Sequence, residues 1–139
     1  MKRLLKLLEE RNHYLEKFYT LNENQLVELE TANYNNIEAF YQNREGILEV
    51  ISYIDTEIEK FNSEEPFALS NFEKTQIREN LIIKKEFIKR ILDQDFKILA
   101  KIENAKNEII KELSEVKSGR KAISGYKSKT HNYRLNEEV

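Results

Sequence analysis

From Asn71 to Lys117 the chain runs 47 residues without a glycine or proline, and apolar residues recur through it at alternating steps of three and four. That spacing keeps one stripe of side chains on one side of an α-helix. Sustained over more than about five heptads, it is coiled-coil-like. The seam contains Ile77, Leu81, Ile88, Ile91, Ile98, Ile102, Ala105, Ile109 and Val116. Lys84 and Asp95 interrupt it, and either fix register at some cost or mark where the seam meets solvent or a partner. A second stripe, Ile82, Leu92, Phe96, Leu99, Ile110 and Leu113, flanks the first, so this helix calls for neighbours on more than one side.

Two further amphipathic segments precede it. From Lys2 to about Ala32, Leu4, Leu8, Leu15, Phe18, Leu26 and Leu29 share one face, flanked by Leu7, Tyr14 and Leu21. Asparagine competes for backbone hydrogen bonds, so the cluster Asn33-Tyr34-Asn35-Asn36 predicts a break. The stripe resumes nearly in phase with Ile37, Phe40, Ile47, Ile51, Ile54, Ile58 and Phe61, which leaves open one bent helix over residues 2–61. Pro66 ends the pattern at Asn62-Ser63-Glu64-Glu65-Pro66, since proline lacks an amide hydrogen and disfavours helix at the residue before it. Ser70-Asn71-Phe72-Glu73 then reads as a capping box that starts the long helix. Beyond Ser118-Gly119 the pattern fades, predicting a short C-terminal helix or a disordered tail. The expected architecture is all-α: an antiparallel, coiled-coil-like bundle of three long helices in one domain over residues 1–117, with a basic tail over 118–139.

Composition agrees with that class. Among 139 residues there are one proline, three glycines and 35% charged residues, which suits exposed helix faces and leaves few turns for a sheet. Without cysteine, disulfides and thiolate metal sites are excluded. Charge is divided unevenly: residues 1–70 hold 7 Lys/Arg against 14 Asp/Glu, and residues 71–139 hold 16 against 11. The plain reading is an acidic first half packed beside a basic second half. Met1-Lys2-Arg3-Leu4-Leu5-Lys6-Leu7-Leu8 begins like a signal peptide, but Lys6, Glu9, Glu10 and Arg11 break the apolar run. No apolar stretch approaches the ~20 residues needed to span a bilayer. A cytoplasmic location without membrane insertion is expected.

Catalytic constellations are sparse. Glu10-Arg11-Asn12-His13 matches the Glu-x-x-His step of di-iron bundles, but that architecture needs the step twice, and Ser128 stands three residues before His131. His13 is therefore expected to be solvated rather than a metal ligand. The carboxylate pairs Glu64/Glu65 and Asp93/Asp95 have no histidine beside them, so capping or solvated roles are expected. Six basic residues between Lys117 and Asn136, with Tyr126 and Tyr133, could contact nucleic acid only in a salt-sensitive way, and a nucleic-acid partner is not expected. The sequence thus predicts a protein-binding module with no enzymatic role and no cofactor or metal.

Segments of about 30, 25 and 47 residues cannot cover one another. Paired antiparallel, the third would overhang the first by about 17 residues, ~25 Å of helix. The partner-binding residues expected on it are Ile91, Ile98, Ile102, Ile109, Leu113, Val116, Ile123 and Tyr126. That face calls for self-association, folding back of residues 120–126, or an amphipathic segment of a partner.

The arrangement resembles the flagellar export chaperones of the FliT and FlgN type. An early helix rich in Leu, Glu and Tyr is followed by Asn35-Asn36-Ile37-Glu38-Ala39-Phe40, then Arg44-Glu45-Gly46-Ile47-Leu48-Glu49-Val50-Ile51 with Asp55. A long third helix carries Ile91-Leu92-Asp93-Gln94-Asp95, and the chain approaches its end through Lys117-Ser118-Gly119-Arg120-Lys121-Ala122-Ile123-Ser124-Gly125-Tyr126, an ending closer to FliT-like than to FlgN-like proteins. The resemblance implies a cytoplasmic chaperone that binds the C-terminal helical region of a filament-cap or hook-associated protein, prevents premature assembly and aids type III export. It implies no cofactor or reaction. It also implies a C-terminal segment, around Ile123 and Tyr126, that covers the binding face, although the unbroken third segment departs from the break expected before a last helix. The alternative from the residues alone is a structural, homodimeric coiled-coil or adaptor protein without a secretion role.

Overall fold

The computed structural model describes residues 2–62 and 69–130. Three helices occur among them: α1 (Lys2–Glu30), α2 (Ile37–Asn62) and α3 (Asn71–Thr130). The chain divides into two compact units, Met1–Ala100 and Lys101–Val139.

The asparagine cluster does separate α1 from α2, and backbone geometry shows how. Ala32 adopts a left-handed conformation with φ 56°. Its amide donates to the Leu29 carbonyl at 3.1 Å, while the Asn33 amide donates to the Glu28 carbonyl at 3.0 Å. This pair of bonds is a Schellman motif, which satisfies carbonyls that a helix end otherwise leaves free. The Asn33 side chain then accepts from the Asn35 amide at 3.1 Å, and the Asn36 carbonyl receives the Phe40 amide at 2.9 Å, opening α2. The single bent helix over residues 2–61 is not formed.

At the start of α3 the capping box is present as read. Ser70 Oγ accepts from the Glu73 amide and Glu73 Oε1 accepts from the Ser70 amide, both at 3.1 Å. The end of α3 differs from expectation. Helix continues through Ser118 and Gly119 to Thr130 rather than fading near Lys117. One isolated glycine costs a helix only about 1 kcal/mol, too little to terminate it.

Within Met1–Ala100 the helices run up, down and up. Leu7 and Leu8 of α1 pack with Ile54 and Ile58 of α2, while Leu15 and Phe18 meet Ile47 and Ile51, so α1 and α2 are antiparallel. Along α3, Asn80 meets Asn12, Phe87 meets Tyr19, and Gln94 meets Asn22, so α3 runs parallel to α1. Asp95 of α3 pairs with Arg44 near the start of α2, while Ile77 joins the Ile54/Ile58 end, so α3 is antiparallel to α2. The antiparallel pairing of α3 with α1 used to estimate an overhang is therefore corrected. Few residues separate successive long helices, so each reverses on the one before, and the first and third end up parallel.

Polar side chains sit in the seams of this bundle. On α1 the inward heptad positions are Leu4, Leu8, Arg11, Leu15, Phe18, Asn22, Gln25 and Leu29, all buried or half-buried. On α2 they include Phe40, Arg44, Ile47, Ile51, Ile54 and Ile58. On α3 they are Ile77, Asn80, Lys84, Phe87, Ile91, Gln94 and Ile98. Asn12 Nδ2 donates to the Asn80 carbonyl at 2.9 Å. Asn22, fully buried, donates to Gln94 Oε1 and Asp95 Oδ1, both at 3.1 Å. Gln94 Nε2 donates onward to the Tyr19 carbonyl at 3.0 Å and Glu23 Oε1 at 2.8 Å. The Arg44 guanidinium closes this layer, 2.8 Å from Asp95 and 4.8 Å from the centre of the Phe18 ring. Buried Arg11 pairs with Asp55 at 2.9 Å in the neighbouring layer. A shift of α3 by one turn would strand these groups in an apolar seam, so they select one register.

Candidate protein-binding face on the third helix

The partners of α3 take only one of its two apolar stripes. Ile91 packs with Leu15 and Phe18, and Ile98 is 1% exposed. Both belong to the interior, so these two expected partner-binding residues do not reach a partner in the folded bundle. Leu81 and Ile88, read as seam residues, point outward, and the inward places beside them go to Asn80 and Phe87. Lys84 and Asp95 do not interrupt the inner seam. Lys84 is one of its half-buried members, and half-buried Asp95 is held at its edge by Arg44 and Asn22.

Most of the remaining apolar side chains form an outer stripe. Up to Ala100 it comprises Leu81, Ile82, Ile88, Leu92, Phe96 and Leu99, with Phe96 73% exposed. Within Lys101–Val139, Ile102 is half-buried and Ile109, Ile110, Leu113, Val116 and Ile123 are all more than half exposed. Every described residue from Lys106 to Ile123 is exposed. Tyr126 lies in α3, but its side chain is outside the described residues. Residues 120–123 continue α3, which runs through Thr130.

The outer stripe is legible once charged residues are allowed at a heptad position. Leu81, Lys85, Ile88, Leu92, Asp95, Leu99, Ile102, Lys106, Ile109, Leu113, Val116, Arg120 and Ile123 follow strict steps of four and three. A search for apolar residues alone merges this seam with the inner one, because Ile91 and Ile98 lie one step from Leu92 and Leu99.

Side chains considered for chemistry are dispersed. His13 is exposed, its ring edge-on to Tyr14 at 5.7 Å, beside a shallow groove with Glu16, Lys17, Asn43 and Ile47. Asp93 pairs with Lys97 at 3.1 Å on the outside, whereas Asp95 turns inward to Arg44, so the two carboxylates do not face each other. Glu64, Glu65, His131 and Tyr133 lie outside the described residues. Among the described residues, no group of three or more His, Asp or Glu converges as a metal site, and no helix is long and apolar enough to cross a membrane. Among the described residues, shifted protonation is found where Glu57 meets Lys60 and Arg3. The Lys60 hydrogen bond holds the Glu57 carboxyl below its ordinary value, partial burial opposes this, and Arg3 adds to the lowering. Together these features define an all-α bundle whose longest helix displays an uncovered apolar stripe. Comparison with family models, curated proteins and solved structures finds no match to the chain.

Proposed function

We propose that this chain is a cytoplasmic export chaperone of the FliT/FlgN kind, holding the C-terminal helical region of a flagellar filament-cap or hook-associated protein until type III export. The observation that carries the reading is the exposed stripe Ile109, Leu113, Val116 and Ile123, presented on an α3 that continues through the Lys117–Tyr126 segment. An amphipathic client helix can lay its apolar face along such a stripe, reading anchors one turn apart. Binding there needs no cofactor and no reaction.

The test is calorimetric titration of the full chain with C-terminal helical segments of cap and hook-junction proteins from the same genome. Saturable binding is expected, with at least a tenfold loss in Ile109→Asp and Leu113→Asp, since a charge set into an apolar contact costs more than ~1.4 kcal/mol. Ile98→Asp is unsuitable, because Ile98 is core and the variant would unfold. Failure of every such segment to bind the wild-type chain would remove the proposal.

A further inference from the structure

We propose that residues 102–120 of α3 pair with the same segment of a second copy of this chain as an antiparallel two-stranded coiled coil. The inference goes beyond the client reading and does not depend on it. In Lys101–Val139 the seam positions are Ile102, Lys106, Ile109, Leu113, Val116, Arg120 and Ile123, and from Lys106 onward all are exposed. Two of the seven are basic, and they decide the orientation. A parallel, in-register pair would stack Lys106 on Lys106 and Arg120 on Arg120, like charges in a desolvated seam.

Reversing one copy removes that conflict. In the register that sets Leu113 against Ile109 of the second copy, Lys106 lies opposite Val116 and Arg120 opposite Ile102. Their aliphatic stems then cover apolar surface while the charged ends reach water. The residues just after Ile102, Ile109 and Val116 line one flank: Glu103, Ile110 and Lys117. Antiparallel pairing brings Glu103 beside Lys117 of the second copy, twice by symmetry, and sets Ile110 against its own mate at the two-fold axis. This accounts for the broadening of the apolar stripe at Ile109 and Ile110, each 53% exposed. On the other flank Glu112 lies nearest its own mate, with Lys106 of the second copy about one turn away to neutralise it.

The contact spans ~28 Å of helix and roughly 1,000 Å² in total, at the lower edge of specific interfaces. An interface this small makes a weak dimer, which a tighter-binding partner helix can displace.

Sedimentation of the full chain over roughly 1–200 μM tests this, with a reversible monomer–dimer equilibrium expected. Glu103→Lys or Lys117→Glu alone should weaken the dimer roughly five- to tenfold, and the double exchange should restore it. Because the chain has no cysteine, single-cysteine variants report orientation directly. Ile110→Cys should oxidise to a covalent dimer, whereas preferential cross-linking of Leu113→Cys to itself would show a parallel pair and overturn the proposal. A monomer at the highest concentration overturns it too, even if client segments bind. A dimer that ignores every client segment sustains it and removes only the chaperone reading.

Discussion

Replacing Asn22 and Gln94 with leucine, singly and together, tests whether buried amides hold the bundle's register. Asn22 is 0% exposed and Gln94 3%. In Asn22→Leu, Gln94 Oε1 and Asp95 Oδ1 each lose a donor. In Gln94→Leu, Asn22 keeps its bond to Asp95, while the Tyr19 carbonyl and Glu23 lose a donor. A buried polar group left without its partner costs about 1–3 kcal/mol. The leucine brings a gain of similar size, which the strain of a larger side chain at asparagine's site offsets. Net losses of about 2 kcal/mol for Asn22→Leu and about 1 kcal/mol for Gln94→Leu are expected, or roughly 4 °C in Tm per kcal/mol. The double variant leaves fewer orphans, so its loss should fall short of the sum by about 1–2 kcal/mol. Urea unfolding followed by circular dichroism measures all four corners of the cycle. Additivity within about 0.5 kcal/mol, or two neutral single variants, would refute the claim that these amides act as a pair.

Ala32→Gly should stabilise the chain by about 1 kcal/mol, because glycine occupies the left-handed conformation without the steric cost of a Cβ. A lowered urea midpoint would show that the α1 cap is not formed as described. Glu57→Gln tests the exposed ion cluster through its pH dependence. The folded carboxyl is held below its ordinary value of 4.5, so its contribution is full above that value and is lost as pH falls through the lowered one. The urea midpoints of wild type and Glu57→Gln should therefore differ most near neutrality and converge in acid. Equal separation at pH 3 and pH 7 would contradict it.

Legibility followed the range of the interactions. Both interruptions of the helical pattern depend on neighbours in the chain. The reciprocal Ser70/Glu73 bonds could be read residue by residue, whereas the asparagine cluster left one bent helix open and the left-handed Ala32 decides the turn. The α2 stripe was also plain, because seven of its inward residues are apolar and only Arg44 breaks the series. On α3 the apolar criterion misled: it passed over Asn80 and Gln94, which face inward, and took Leu81 and Ile88, which face out. The expected partner face was correspondingly mixed. Ile91 and Ile98 went to the core, while Ile109, Leu113, Val116 and Ile123 remained exposed.

Helical character, the start of the third helix at Ser70 and the presence of more apolar face than three helices can cover were determined by the sequence alone, since they rest on periodicity and on bonds between near neighbours. Which stripe of α3 turns inward was decided only in the tertiary structure. Asn80 becomes a good core residue only where Asn12 meets it 68 positions away, and Gln94 only where Asn22 meets it 72 away. A polar side chain can enter a core once its partner is there, and long-range pairing is what supplies the partner.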